Sequence, residues 1–248
     1  MLRRLLDSHS RISCGPEIKF FRDFYGDFIG DPLAHARFLR TVRSLGLTDT
    51  ECLRILGPAF VACHELAARK LGKPRWADKN PENVLYLDQW RTILPEGFAF
   101  VHVVRNPYDA LASLKEIRFS KVVPEAFEAK AALYLRYAKA GMKFCEEHPD
   151  VSMTIAYEEL VRRPQDVLTR LLQRLGESFE PQMLERFHLA ERRPGLEDPH
   201  VTKRADVHTE SIGRWKSLLT DHEQSAIRHA LRELPLGPSG EWVLNGSP

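Results

Sequence analysis

The stretch "VHVVRNPYDALAS" (residues 101–113) decides the fold. It continues an apolar run that covers residues 98–104, the pattern of a β-strand buried on both faces of a parallel sheet. Asn106 is a favourable helix N-cap and Pro107 a favourable first helical residue, so a helix should follow the strand directly. The stretch therefore predicts a strand–helix unit of an α/β protein.

The rest of the chain supports this fold class. Residues 151–157 alternate apolar and polar side chains, and residues 74–78 form a shorter, weaker strand pattern. Most other segments have helical spacing, including 48–72, 164–176 and 220–234. We expect a helix-rich α/β protein with a parallel sheet, forming a single domain over residues 1–248. Ligand sites of such sheets lie beyond the carboxyl ends of the strands.

Composition restricts the classes of function. Among 248 residues, 36 Lys and Arg nearly balance 34 Asp and Glu, which argues against nucleic acid as the main partner. The four cysteines show no CxxC spacing, so we expect a reduced, cytoplasmic protein. No apolar run approaches the roughly 18 residues of a membrane span, and we expect none.

The first candidate site follows the central strand. Arg105 lies at the strand's carboxyl end, and the next helix points its free N–H groups toward the same place. Ala110 and Ser113 share a helical face with Asn106, so a ligand could approach closely and meet a hydroxyl. The alternative is a structural corner in which Arg105 is salt-bridged and Ser113 is merely tolerated.

Other candidates follow the weaker strands and the turns. Lys79 could neutralise charge on a leaving group, or could be an ordinary surface lysine. Pro16 should begin a helix with Glu17 in its first turn, where Glu17 is either a general base or a helix-stabilising charge. Tyr157 is a ligand contact or a strand-end aromatic residue. Arg214 is an anion contact or a surface arginine.

Taken in order, five motifs resemble the PAPS-dependent sulfotransferases, particularly the branch of the protein-tyrosine sulfotransferases. PAPS is 3′-phosphoadenosine 5′-phosphosulfate, and PAP is the nucleotide that remains after transfer. The motifs are "LRRLLDSHSRISCGPE" (2–17), "DKNP" (78–81), "VVRNPYDALAS" (103–113), "YEEL" (157–160) and "GRWK" (213–216). They cover nearly the whole chain, so the match is specific although each motif is weak alone. The resemblance implies the P-loop-NTPase-like sulfotransferase fold.

The resemblance also implies roles for individual residues. Arg105 and Ser113 match the pair that holds the 3′-phosphate of the nucleotide. Glu17 matches the catalytic base, and Lys79 matches the lysine that stabilises the transferring group. The remaining matches are contacts to nucleotide, acceptor or transition state: Tyr157 and Arg214 to the nucleotide, Lys19 near the acceptor peptide, and Thr202 at the place of a transition-state serine.

The implied function is transfer of a sulfuryl group from PAPS to a hydroxyl acceptor, without a metal. The alternative is a non-catalytic PAP-binding or regulatory protein of the same family. A P-loop kinase is excluded by the absence of G-x-x-x-x-G-K-[ST], and no D-x-D motif supports a glycosyltransferase. The candidate acceptors are a peptide tyrosine, a sugar and a small alcohol. A homodimer is a candidate assembly. The aromatic residues Phe20, Phe21, Phe24 and Tyr25 line an acceptor pocket or, as we favour, pack in the core.

Two departures from the family pattern lead to expectations. The family's first strand and its "RSGTT"-type loop for the 5′-phosphosulfate would precede Leu2. A misassigned start, a truncated chain and natural loss would each leave them out, and we favour a misassigned start because the later motifs are intact. The 248 residues alone should then be marginally stable and transfer sulfuryl groups poorly. The secreted-pathway relatives pair the cysteine matching Cys14 with one at the place of Ala77, so that disulfide should be absent here.

Overall fold

A computed structural model describes residues 1–18, 20–25, 41–116, 124–187, 207–237 and 240–243. The chain divides into two compact units. The N-terminal unit comprises Met1–Phe98 and Phe179–Val207, and the C-terminal unit comprises Ala99–Ser178 and His208–Pro248. The single domain expected over residues 1–248 stays a prediction.

Short strands alternate with helices along the chain. The described elements are α1 (Leu2–Asp7), β1 (Ile12–Cys14), α2 (Phe20–Tyr25), α3 (Asp49–Lys70), β2 (Arg75–Ala77), a 3-10 helix (Pro81–Leu85), α4 (Leu87–Ile93), β3 (Phe100–Val104), α5 (Pro107–Glu116), α6 (Phe127–Glu147), β4 (Ser152–Ala156), α7 (Tyr157–Arg162), α8 (Pro164–Arg174), α9 (Gln182–Glu185), α10 (Trp215–Leu218) and α11 (Asp221–Ala230). The expected helix-rich α/β class is confirmed.

The described strands form two parallel pairs. In the N-terminal unit β1 pairs with β2, with Cys14 opposite Ala77. In the C-terminal unit β3 pairs with β4, with Val104 opposite Ala156. The three expected strands are present within one or two residues of their predicted bounds. The three-residue β1 was not predicted, because a strand this short shows no periodic pattern and is defined only by pairing with β2.

The expectation that the central strand is buried on both faces is wrong at one position. His102 in β3 is buried, whereas Val103 is 39% exposed. The difference arises from α6, where Gly141 has no side chain and lies against the His102 imidazole. The backbone of α6 therefore covers one face of β3 closely, and the other face is only partly covered.

An aromatic cluster fills the core of the N-terminal unit. Phe20 stacks on Phe60 with ring centroids 4.3 Å apart. Phe21 stacks on Tyr86 at 5.1 Å and is 2% exposed, and Phe24 is 7% exposed. Core packing is therefore the interpretation that fits Phe21 and Phe24.

Helices α5, α6 and α11 form the core of the C-terminal unit. Leu111, Ala131 and Ile227 are almost fully buried where these helices meet. Thr220 and Glu223 make the expected capping box at the start of α11. These contacts fix α5, whose first turn follows the end of β3.

Candidate active site

Glu17 and Lys79, which are far apart in sequence, form an ion pair in the N-terminal unit. Glu17 lies three residues after β1, and Lys79 lies two residues after β2. Because Cys14 and Ala77 are paired at the carboxyl ends of these parallel strands, the chain segments that leave them run side by side. The register of a short sheet therefore brings together the two residues predicted to be catalytic.

The local structure around Glu17 differs from the prediction. Glu17 is not in the first turn of a helix, since β1 ends at Cys14 and α2 is described from Phe20. The connection is fixed from α1 instead, because Arg3 Nη1 donates hydrogen bonds to the Cys14 carbonyl at 2.9 Å and the Gly15 carbonyl at 3.2 Å. Glu17 therefore lies in the connection between β1 and α2, where its carboxylate forms an ion pair with Lys79.

The two members of the pair differ in exposure. The Glu17 side chain is 14% exposed and the Lys79 side chain 49% exposed. The carboxylate is therefore fixed close to the protein, whereas the ammonium reaches solvent on a long flexible stem. Lys79 can move toward an anion while Glu17 stays in place.

Cys14 is a free thiol in β1. Burial raises its pKa to about 12, so the thiol stays neutral and unreactive at physiological pH. Its direct cross-strand neighbour is Ala77. The described cysteines are all free, as expected for Cys14.

Arg105 is the centre of a second group of predicted residues, in the C-terminal unit. Its guanidinium lies over the Tyr157 ring, 4.8 Å from the ring centroid. Its Nη2 donates to the Ser211 carbonyl at 2.9 Å, and the Tyr157 hydroxyl hydrogen-bonds to the Ser211 hydroxyl at 2.8 Å. Residues from the ends of β3 and β4 thus meet over one short segment.

The Arg105 guanidinium still has binding capacity. Its buried Nε has no hydrogen-bond partner among the described residues, and no described carboxylate forms an ion pair with it. The described contacts therefore do not support the alternative in which Arg105 is a salt-bridged residue of a structural corner. Its backbone carbonyl is fixed by the Trp242 indole at 2.9 Å and by the hydroxyl of Tyr134, whose pKa burial raises. A fixed, incompletely paired guanidinium is suited to holding an anion.

Helix α5 begins as the sequence predicted. The Asn106 side chain accepts from the Tyr108 amide at 2.9 Å, which is an N-cap contact. Ser113 is partly buried, and no described residue hydrogen-bonds to its hydroxyl. Its side chain remains available to a ligand.

Arg214 forms an ion pair with Glu116 of α5, in which its Nη2 donates to both carboxylate oxygens, at 3.0 and 2.9 Å. The neighbouring amides of Gly213 and Trp215 both donate to Asp109, at 2.7 and 3.1 Å. This role of Asp109 was not predicted from the sequence. Nothing local to "NPYD" signals it, because its partners lie about a hundred residues later in the chain.

Two predicted residues, Lys19 and Thr202, lie outside the described residues. The predicted contacts Arg105, Ser113, Tyr157 and Arg214 do not line the cavity of about 480 Å³ in the C-terminal unit, which lies between α7 and the segment near Trp215 and Trp242. Across the described ranges, no group of three or more His, Cys, Asp or Glu side chains is arranged to hold a metal ion. None of the described helices is long and apolar enough to cross a membrane.

The chain is similar to known sulfotransferases in sequence and in fold. A Caenorhabditis briggsae protein named "Putative protein-tyrosine sulfotransferase" is 22% identical over 227 residues, which are 87% of this chain and 75% of that protein. The solved sulfotransferase domain from the curacin biosynthetic pathway aligns over 98% of this chain and 93% of that domain, with a TM-score of 0.61 and 16% identity. The sulfotransferase domain of the Synechococcus PCC 7002 olefin synthase aligns over 94% and 88%, with a TM-score of 0.62 and 16% identity. These two structures support the fold.

The sequence profile described as "Sulfotransferase family" matches residues 1–181, which include β1 to β4 and the segments that follow them. That match covers most of the chain. The protein belongs to the sulfotransferase family.

Proposed function

We propose that this protein transfers a sulfuryl group from PAPS to a hydroxyl acceptor, with Glu17 as the base and Lys79 as the cation that stabilises the departing oxygen. The observation that carries the proposal is the Glu17–Lys79 pair at the ends of β1 and β2. A carboxylate and an ammonium held together provide the proton acceptor and the positive charge that such a transfer needs.

Bonds and charges balance without a further reactant. The acceptor oxygen forms a bond to sulfur, and the bond between sulfur and the 5′-phosphate oxygen breaks. The electron pair of that bond stays on the phosphate, which leaves as part of PAP. The hydroxyl proton passes to Glu17, and Lys79 leaves its ion pair to face the oxygen that gains charge.

Nucleotide recognition is assigned to the C-terminal unit. The Nε of Arg105 and the hydroxyl of Ser113, which have no hydrogen-bond partner among the described residues, fit the needs of a 3′-phosphate, which is a multidentate acceptor. Tyr157, already stacked under Arg105, offers an aromatic face and a hydroxyl. Arg214 adds a second guanidinium if the phosphate displaces Glu116.

The first acceptor to test is a peptide tyrosine, because the relative from Caenorhabditis briggsae carries that activity in its name. The assay uses radiolabelled PAPS and compares a tyrosine peptide with a sugar and a small alcohol. We expect acceptor-dependent label transfer together with release of PAP. A folded protein that binds PAP but labels none of the three acceptors would favour the non-catalytic alternative, and one that does not bind PAP would refute the proposal.

A further inference from the structure

We propose that Asp109 is a positioning residue that places Arg214 for recognition of the 3′-phosphate. The inference rests on the proposed function, because it takes the nucleotide to be PAPS or PAP. It assigns a role to a carboxylate that the sequence motifs leave without one.

The described contacts of the Asp109 carboxylate are made to one short segment of the chain, around Arg214. Its two carboxylate oxygens accept from the amides of Gly213 and Trp215, which flank Arg214. The side chain is buried, with 2% of the residue exposed. A buried carboxylate that receives backbone N–H bonds on both oxygens is a strong anchor, because each bond is charge-assisted.

The backbone around Arg214 depends on such an anchor. Gly213 has φ of +80°, a left-handed conformation, so the chain turns sharply just before Arg214. A hydrogen bond on each side of the turn fixes the direction in which the Arg214 side chain leaves the backbone. Without Asp109, the described contacts of Arg214 are its exposed ion pair with Glu116 and the hydrogen bonds that its carbonyl accepts from the amide and the hydroxyl of Ser217, and none of them holds the backbone on the Gly213 side.

Helix α5 supplies the rest of the geometry. Asp109, Ser113 and Glu116 are spaced i, i+4 and i+7 and therefore share one face of α5. Asp109 holds the backbone beside Arg214 and Glu116 holds its guanidinium, so both ends of this residue lie along that face. Ser113 lies on the same face, one turn from each carboxylate. An anion on this face would meet a hydroxyl and a guanidinium together.

Loss of this anchor should affect the binding of nucleotides that carry a 3′-phosphate more than the binding of those that do not. Adenosine 5′-phosphate (AMP) lacks this group, and PAP has it. Displacement of Arg214 should weaken PAP binding more than AMP binding, whereas general loss of structure should weaken both. The ratio of the two dissociation constants therefore separates positioning from stability, and it does not depend on the folded fraction of a preparation.

The chain contains a closely matched control. Asp166 occupies the same third helical position after a proline in α8 as Asp109 does in α5, and it is exposed with no described partner. Asp109→Asn and Asp166→Asn thus lose the same interaction with a helix N-terminus, but only Asp109→Asn weakens the anchor.

Calorimetric titration of PAP and AMP into the unmodified chain and the variants tests the inference. We expect the unmodified chain to prefer PAP by about tenfold or more, Arg214→Ala to reduce that preference, and Asp109→Asn to reduce it at least about threefold. Asp166→Asn should leave it unchanged. If the unmodified chain shows no preference for PAP, the proposed function fails and this inference with it. If Arg214→Ala reduces the preference but Asp109→Asn does not, only the role of Asp109 is refuted.

Hydrogen–deuterium exchange on the unmodified chain gives a test that does not require a variant to fold. The amides of Gly213 and Trp215 should gain protection with PAP and gain less with AMP at equal saturation. Equal protection with the two nucleotides would overturn the inference.

Discussion

The ends of the two strand pairs hold their predicted residues in different ways. Beyond β1 and β2, Glu17 and Lys79 contact each other directly. Beyond β3 and β4, Arg105 lies directly over the Tyr157 ring, both residues also contact Ser211, and Arg214 is held by α5. Parallel register thus suffices to unite Glu17 with Lys79 and Arg105 with Tyr157. The second group differs because it also includes Ser211 and Arg214, which come from a segment far along the chain.

The comparison separates two kinds of function. A carboxylate and an ammonium in direct contact can supply a substrate with a proton acceptor and a positive charge, which suits a transfer reaction. A guanidinium held by a carbonyl and an aromatic ring, whose buried Nε has no hydrogen-bond partner among the described residues, suits recognition of an anion. Changes in the first region should therefore affect transfer, and changes in the second should affect nucleotide binding.

The largest difference between the effects on transfer rate and on PAP affinity should come from Lys79→Met. Loss of the ammonium removes charge stabilisation of the departing oxygen, so the transfer rate should fall about 100-fold. PAP affinity should change much less. Initial rates with radiolabelled PAPS and calorimetric titration with PAP measure the two quantities, and Lys70→Met, an exposed lysine at the end of α3, is the control. Equal losses of rate and affinity would place Lys79 in binding instead of catalysis.

Arg105→Lys tests whether the residues beyond β3 and β4 bind the nucleotide. The variant keeps the charge but loses the planar fork and the stacking on Tyr157, so PAP affinity should fall about tenfold. Arg228→Lys on α11 serves as the control, because Arg228 contacts only Ser225 among described residues. Unchanged affinity in Arg105→Lys would show that Arg105 acts as a simple charge or not at all.

Gly141→Ala tests how α6 supports the second region. An added Cβ would lie 2.4 Å from Nε2 of His102, so the free energy of unfolding should fall by about 1–3 kcal/mol. Denaturant titration followed by circular dichroism measures this change. A second substitution, His102→Val, should recover part of the loss, and failure to recover any would argue against the close contact.

A mild acid shift should have the smallest effect. Burial lowers the pKa of both His64 and His102 to about 4, from 6.5 in the unfolded chain. Protonation then favours the unfolded state, so stability is complete above pH 6.5 and declines as the pH falls toward 4. Between pH 6.5 and 5.5 each histidine should cost about 1 kcal/mol. His102→Gln should show a weaker pH dependence than the unmodified chain over this interval, and equal dependence would mean that His102 is not buried as a neutral group.

Local pattern was sufficient for much of the fold. The strand ends at Ala77, Val104 and Ala156, the N-cap Asn106 and the capping box of Thr220 all follow from short-range chemistry. The positions of the residues just after those strands could therefore be predicted from the sequence. Their roles remain predictions.

The sequence could not supply what depends on the path of the chain. The strand β1 is defined by its pairing with β2. Glu17 therefore lies in the segment that follows this strand and not in the predicted helical turn. The contacts of Asp109 and Glu116 with the segment around Arg214 join residues about a hundred positions apart. Such contacts follow from tertiary packing, which neither spacing nor composition encodes locally.

The central claim is that Glu17 acts in transfer and Arg105 in nucleotide binding. The most direct test measures label transfer and PAP affinity side by side for Glu17→Gln and Arg105→Ala, with Glu96→Gln, an exposed position, as the control. The account predicts that Glu17→Gln lowers transfer about 100-fold or more while PAP affinity is retained, and that Arg105→Ala loses both. Transfer that survives in Glu17→Gln, with PAP binding intact, would contradict it.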